Sequence, residues 1–132
     1  MRRIFIDRAD AGRALAESLS AWRSAPATVV LALPRGGVPV AYEVATALAL
    51  PLDVLVVRKL GLPSQPELAM GAIASGGAIV LNRDVLRYLQ GGDDALESIR
   101  ARETVELLRR ERQYRGNLPP LAMSGQTAIV VD

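Results

Sequence analysis

Two short apolar runs, set on either side of a glycine loop and a helix, constrain this chain more than any other feature. Val29-Val30-Leu31-Ala32-Leu33 has no polar interruption, and Pro34-Arg35-Gly36-Gly37 cuts it. An unbroken run of this kind fits a strand buried on both faces, the usual state in a parallel sheet. Pro39 then stands at a helix-opening position, and the Ala-rich stretch from Val40 to Leu50 has a helical pattern that Pro51 stops. Leu52 to Val57 reads as a second buried strand. Strand, loop, helix and strand make a βαβ unit, so the expected class is α/β with a Rossmann-like parallel sheet.

The flanking segments fit the same plan. Residues 9–22 read as a first helix, with Ala11, Ala14, Leu15, Leu19 and Trp22 at helical spacing and Asp7 or Asp10 as its cap. After Arg58-Lys59 comes the breaker-rich Gly61-Leu62-Pro63-Ser64-Gln65-Pro66. Met70 to Ala74 and Ala78 to Leu81, around Ser75-Gly76-Gly77, predict a β-hairpin. A short helix is expected near 84–89, closed by Gly91-Gly92. Asp94 with Glu97 suggests a capping box for a long helix over 93–115, which Gly116 to Pro120 ends. Thr127 to Val131 is a third apolar run, expected to be buried inside a sheet, with Asp132 at its tip. The chain reads as a single domain over 1–132, with 60–81 as a mobile loop and hairpin. A sheet-interior strand at 127–131 with nothing after its tip predicts a C-terminally incomplete domain.

Composition removes much chemistry. The 132 residues include no Cys and no His. Disulfides, thiolate nucleophiles, imidazole bases and Cys or His metal sites are therefore excluded. Catalysis would have to use Asp, Glu, Arg, Lys, Tyr, Ser, backbone groups or an oxygen-bound metal. Lys+Arg number 16 against 14 Asp+Glu, a formal net charge of only +2, which speaks against a nucleic-acid footprint. No apolar run reaches the ~18 residues of a membrane span, and the first residues lack an apolar signal core. The expected location is cytoplasmic.

Ligands of open α/β sheets bind beyond the carboxyl ends of the strands. That rule selects three places, expected side by side: the loop 34–37, Arg58-Lys59 and Asp132. The glycine loop opens a helix, so free N–H groups and the helix dipole make it a candidate anion cradle. It matches neither the Walker pattern nor the dinucleotide fingerprint, and a plain strand-to-helix turn is the alternative. Lys59 is the only lysine in the chain. A solvated strand end is the alternative for it and Arg58. The helix 93–115 mixes both signs of charge, for example Glu106 with Arg109 and Arg110, as a salt-bridged structural helix does.

These residues resemble a known family. Leu33 to Ala41, Leu52 to Gly61 and Glu67 to Ile73 are similar to the type I phosphoribosyltransferases, and to a bacterial group among them whose substrate is unsettled. Phe5-Ile6-Asp7-Arg8 with Ala11-Gly12 and Leu15, Arg102-Glu103, Arg109-Arg110-Glu111-Arg112 and Tyr114-Arg115 are similar to that group as well. The resemblance implies that Arg35, Gly36 and Gly37 hold the pyrophosphate of 5-phosphoribosyl 1-diphosphate. It implies that Arg58 and Lys59 are the catalytic pair before the mobile loop. Val130-Val131-Asp132 is similar to the start of the family's signature, in which two acidic residues contact the ribose hydroxyls. Only Asp132 of that pair is present.

The implied reaction is transfer of a 5-phosphoribosyl group to a nitrogenous acceptor with release of pyrophosphate. Mg2+ would be bound to the substrate, with no metal site built by the protein. Two rival readings are a non-catalytic phosphoribosyl-diphosphate-binding regulatory module and an RNA-binding protein using the Arg-rich helix. The acceptor is not legible, and the oligomeric state, a homodimer included, stays open.

Overall fold

The structure is a computed structural model and describes residues 4–62, 64–87 and 92–132. The chain is mixed α/β, with a parallel three-stranded sheet and helices. It divides into two compact units, residues up to Leu55 with Ala122–Asp132, and Val56–Leu121.

In the first unit, α1 (Arg8–Ser18) starts at Asp7, whose carboxylate accepts from the Asp10 N–H at 2.8 Å. Asp10 reaches back to accept from the Ile6 N–H at 3.1 Å, so one orphan donor of the helix start and one donor just before the cap are satisfied. The helix is shorter than the expected 9–22, because Ser20–Trp22 tightens into a 3-10 turn. Strand β1 (Thr28–Ala32) is buried along its whole length, as its run of apolar residues predicts. Helix α2 (Gly37–Leu48) closes at Ala49, which takes the left-handed conformation at φ 53°. Strand β2 (Leu52–Val54) pairs parallel with β1, with Leu52 beside Val30. The last strand, Thr127–Val131, also pairs parallel with β1, with Ala32 beside Val131. The order is therefore β2, β1, last strand. Val30, Ala32, Ala41, Val44, Leu48 and Val131 form the core between sheet and α2.

Two expectations are corrected here. The second run does not form one buried strand from Leu52 to Val57. It pairs with β1 only as far as Val54, and Val57 opens a different sheet. The last strand is not buried along its length as expected, since within this chain it lies beside β1 alone and only its Val131 is buried.

The second unit holds an antiparallel sheet of β3 (Val57–Gly61), β4 (Ala69–Ala74) and β5 (Ala78–Leu81), so the last strand of the first unit is β6. The predicted hairpin is present as β4–β5, turning through Gly76 at φ 82°. A third strand, β3, pairs with it, and thus Leu60 and Gly61 belong to the sheet rather than to a loop. Short α3 (Arg83–Leu86) is capped by Asn82, a little before the expected 84–89. Positions 88–90 and Gly91 lie outside the described residues. Long α4 (Gly92–Arg115) packs on β3 and β4, and Gly92 opens it rather than closing the preceding helix. Asp94 stands inside α4, not at its cap.

Candidate functional site

At the carboxyl edge of the parallel sheet, the chain leaves β1 and turns directly into α2. Leu33 donates its N–H to the Val131 carbonyl at 2.8 Å, which carries the parallel pairing one residue past β1. The Pro34–Arg35 bond that follows is cis. Gly37 donates to the Leu33 carbonyl at 3.0 Å and Val38 to the Arg35 carbonyl at 3.3 Å. Neither the Arg35 nor the Gly36 N–H has a backbone acceptor among the described residues. Both residues are exposed, and they stand at the positive end of the α2 dipole.

The two glycines of this loop do different work. A Cβ on Gly37 would come within 2.5 Å of the Val131 carbonyl oxygen and 3.1 Å of the Asp132 Cα. Real side chains do not tolerate the first of these distances, so Gly37 is what lets β6 lie against the loop. A Cβ on Gly36 would meet nothing closer than 3.9 Å. The face above Gly36 is thus open to a ligand, whereas Gly37 is buried with its N–H engaged. The loop and Asp132 are brought together, as the strand-end rule predicts.

The atoms that define the open face of Gly36 belong to Arg8, whose Nε and Nη2 lie 3.9 and 4.0 Å from the Gly36 Cβ position. The sequence reading gave Arg8 no role. Its distance in sequence from the loop left no local signal.

Arg58 and Lys59 do not sit at the end of a parallel strand. They lie within β3 of the second unit, and strand alternation sends them to opposite faces. Arg58 is held by Glu103 of α4 in a forked pair, with Nη2 to Oε2 at 2.9 Å, Nη2 to Oε1 at 3.1 Å and Nε to Oε2 at 3.2 Å. The side chains are 26% and 14% exposed, so the pair is largely shielded from solvent. Glu103 was missed as a partner. Its signal was an acid on the apolar stripe of the helix, four residues before buried Leu107.

Lys59 is exposed and donates from Nζ to the Glu67 carbonyl at 3.4 Å. It borders two depressions. One, of about 580 Å³, has Gly71, Ala72 and Val80 along it with Asn82 and Arg83 at the rim. The other, of about 540 Å³, has Ser98, Arg102 and Glu103 of α4.

On the outer side of α4, Glu106 accepts from Arg109 Nη2 at 2.6 Å and from Arg110 Nε at 3.0 Å. Hydrogen bonds from Arg109 and Arg110 lower the Glu106 pKa to about 2. The hydrogen bond to Glu106 raises that of Arg109. These charges are paired within the helix itself. Among the described residues no cluster of three or more carboxylates could hold a metal ion. Nor is any helix among them long and apolar enough to cross a membrane.

A glycine loop leading into a helix at the carboxyl edge of a parallel sheet, with an aspartate at the neighbouring strand tip, defines an α/β protein whose candidate ligand site is that edge. No protein-family model matches the chain. Two curated proteins of Mycobacterium tuberculosis are each 51% identical to it over 130 residues. They carry the names "Putative phosphoribosyl transferase Rv0571c" (strain ATCC 25618 / H37Rv) and "Putative phosphoribosyl transferase MT0597" (strain CDC 1551 / Oshkosh). The match takes in 98% of this chain and 29% of each relative. The crystal structure of TT1426 from Thermus thermophilus is 43% identical, with a TM-score of 0.76 over 100% of this chain and 61% of that one. Identity at this level over nearly all of this chain supports a phosphoribosyltransferase-type family.

Proposed function

We propose that the protein transfers a 5-phosphoribosyl group from 5-phosphoribosyl 1-diphosphate to a nitrogenous acceptor, releasing pyrophosphate. The observation that carries this reading is the loop 34–37, with the Arg35 and Gly36 amides unengaged at a helix start. A diphosphate is the natural ligand for such a loop. It would arrive as its Mg2+ complex, because magnesium keeps water and substrate oxygens as most of its ligands.

In the proposed reaction the acceptor nitrogen forms a bond to the anomeric carbon. The bond from that carbon to the diphosphate oxygen breaks, the electron pair leaves with pyrophosphate, and the nitrogen's proton passes to solvent. Negative charge grows on the leaving group. The amides of Arg35 and Gly36 and the Arg35 guanidinium would stabilise it, since fixed donors aimed at developing charge lower a barrier most. Asp132 would accept from a ribose hydroxyl. The resemblance gives Lys59 a catalytic role as well, and its ammonium is exposed and flexible. Arg58 is assigned a lesser part than the family resemblance implies, because Glu103 already holds its guanidinium.

The test is pyrophosphate release by the full-length protein supplied with phosphoribosyl diphosphate, Mg2+ and a panel of nitrogen heterocycles. Arg35→Ala and Lys59→Ala are each expected to lower release about 10- to 100-fold, the effect of losing a charge-assisted contact in the transition state. Release unchanged in both variants would refute the assignments. A second reading, a binding module without turnover, is favoured by the sequestered Arg58. Saturable binding with no release from any acceptor would select it.

A further inference from the structure

We propose that Arg8 is a second substrate-binding cation of the loop site, delivered by the first turn of α1 to the phosphate oxygens above Gly36. This rests on the reading of residues 35–36 as a diphosphate site. The placement is built into the packing. Gly12 lets α1 lie close against α2, since a Cβ there would come within 2.7 Å of both the Glu43 Cβ and the Val40 carbonyl oxygen. That contact fixes the start of α1 beside the start of α2. It leaves Arg8 Nε and Nη2 3.9 and 4.0 Å from the Gly36 Cβ position, bordering the open side of the loop.

The bonding of Arg8 points the same way. Among the described residues no carboxylate pairs with it, and the acids nearest in sequence are engaged elsewhere. Asp7 caps α1, while Asp10 accepts from the Ile6 N–H and lies 3.9 Å from Arg13. Arg8 is also the first residue of its helix, where the dipole disfavours a cation, so helix stability does not account for it. Arg35 too has no acidic partner among the described residues. The Arg8 guanidinium thus borders the open side of Gly36, beside the two unengaged amides of a loop that carries a second guanidinium on Arg35. Planar forks match phosphate oxygens two at a time, which suits a ligand of several negative charges such as a diphosphate ester.

The test is calorimetric titration of magnesium pyrophosphate into the full-length protein and its Arg8→Ala, Arg8→Lys and Arg35→Ala variants, at low and high salt. Arg8→Ala is expected to weaken binding about tenfold or more, the usual effect of losing a charge-assisted hydrogen bond. Arg8→Lys should recover part of the loss. The salt dependence of Arg8→Ala should be shallower than that of the wild type, a readout that a packing role would not move. Arg8 is exposed, so a melting temperature close to wild type is expected for each Arg8 variant. Weakening by Arg35→Ala with wild-type affinity in Arg8→Ala would overturn the Arg8 assignment and leave the diphosphate reading standing. No saturable binding by the wild type would overturn both.

Discussion

Gly36 and Gly37 are adjacent in sequence and opposite in role. Gly37→Ala would drive a methyl group into the Val131 carbonyl oxygen, so unfolding of the first unit should become easier by about 1–3 kcal/mol, the common cost of overpacking. Gly36→Ala has room, and its φ of −62° is open to alanine. Its denaturation midpoint should match wild type while pyrophosphate affinity falls, because the methyl group occupies the face left for the ligand. Equal effects of the two substitutions on stability would contradict this division. The sequence made Arg35, Gly36 and Gly37 legible as one loop. It did not show which amide is engaged, because the carbonyl that crowds Gly37 comes from Val131, at the far end of the chain. Arg8 was hidden for the same reason, as a helix-to-helix packing brings it to the loop.

At the scale of elements, α2 ends on a non-glycine residue in the left-handed region, Ala49 at φ 53°. Its N–H still closes onto the Ala45 and Thr46 carbonyls. Glycine has no Cβ penalty there, so Ala49→Gly should stabilise the protein by up to about 1 kcal/mol in thermal unfolding; a lower melting temperature would count against the cap. In the second unit, Glu103→Ala leaves the Arg58 guanidinium without its acceptor. Amide exchange in β3 and the middle of α4 should then speed up, corresponding to about 1–3 kcal/mol of lost local stability. On the outer face, the lowered pKa of Glu106 has a definite sign. Its stabilisation of α4 is present above the ordinary carboxylate pKa and lost as pH falls through about 2. An NMR titration of the Glu106 carboxyl should therefore show a midpoint near 2, and a midpoint at the ordinary value of 4.5 would show that the pairs with Arg109 and Arg110 do not persist in solution. The βαβ elements were legible because each apolar run ends at a breaker. The β2–β3 boundary was not, since Leu52 to Val57 crosses from one sheet to another with no Gly or Pro between.

For the whole molecule, the two units divide the candidate chemistry. The first carries the anion loop, Arg8 and Asp132, and the second carries Lys59 and the Arg58–Glu103 pair. The absence of His and Cys from the sequence is compatible with phosphoribosyl transfer, in which the leaving group needs fixed donors and cations rather than an imidazole or a thiolate. The chain spans 29% of the length of the curated relatives it matches. The family resemblance and the α/β class were both legible from the loop 33–41 together with 52–61. The proposed function stands or falls on whether residues 35–36 hold a diphosphate. Amide NMR of the 15N-labelled protein, titrated with magnesium pyrophosphate, reads those two N–H groups individually. Saturable shifts are expected, largest at the Arg35 and Gly36 amides and smaller at Gly37, whose N–H is bonded to the Leu33 carbonyl. An absence of saturable shifts at 35 and 36, or a maximum on the Arg-rich face of α4, would contradict the diphosphate site.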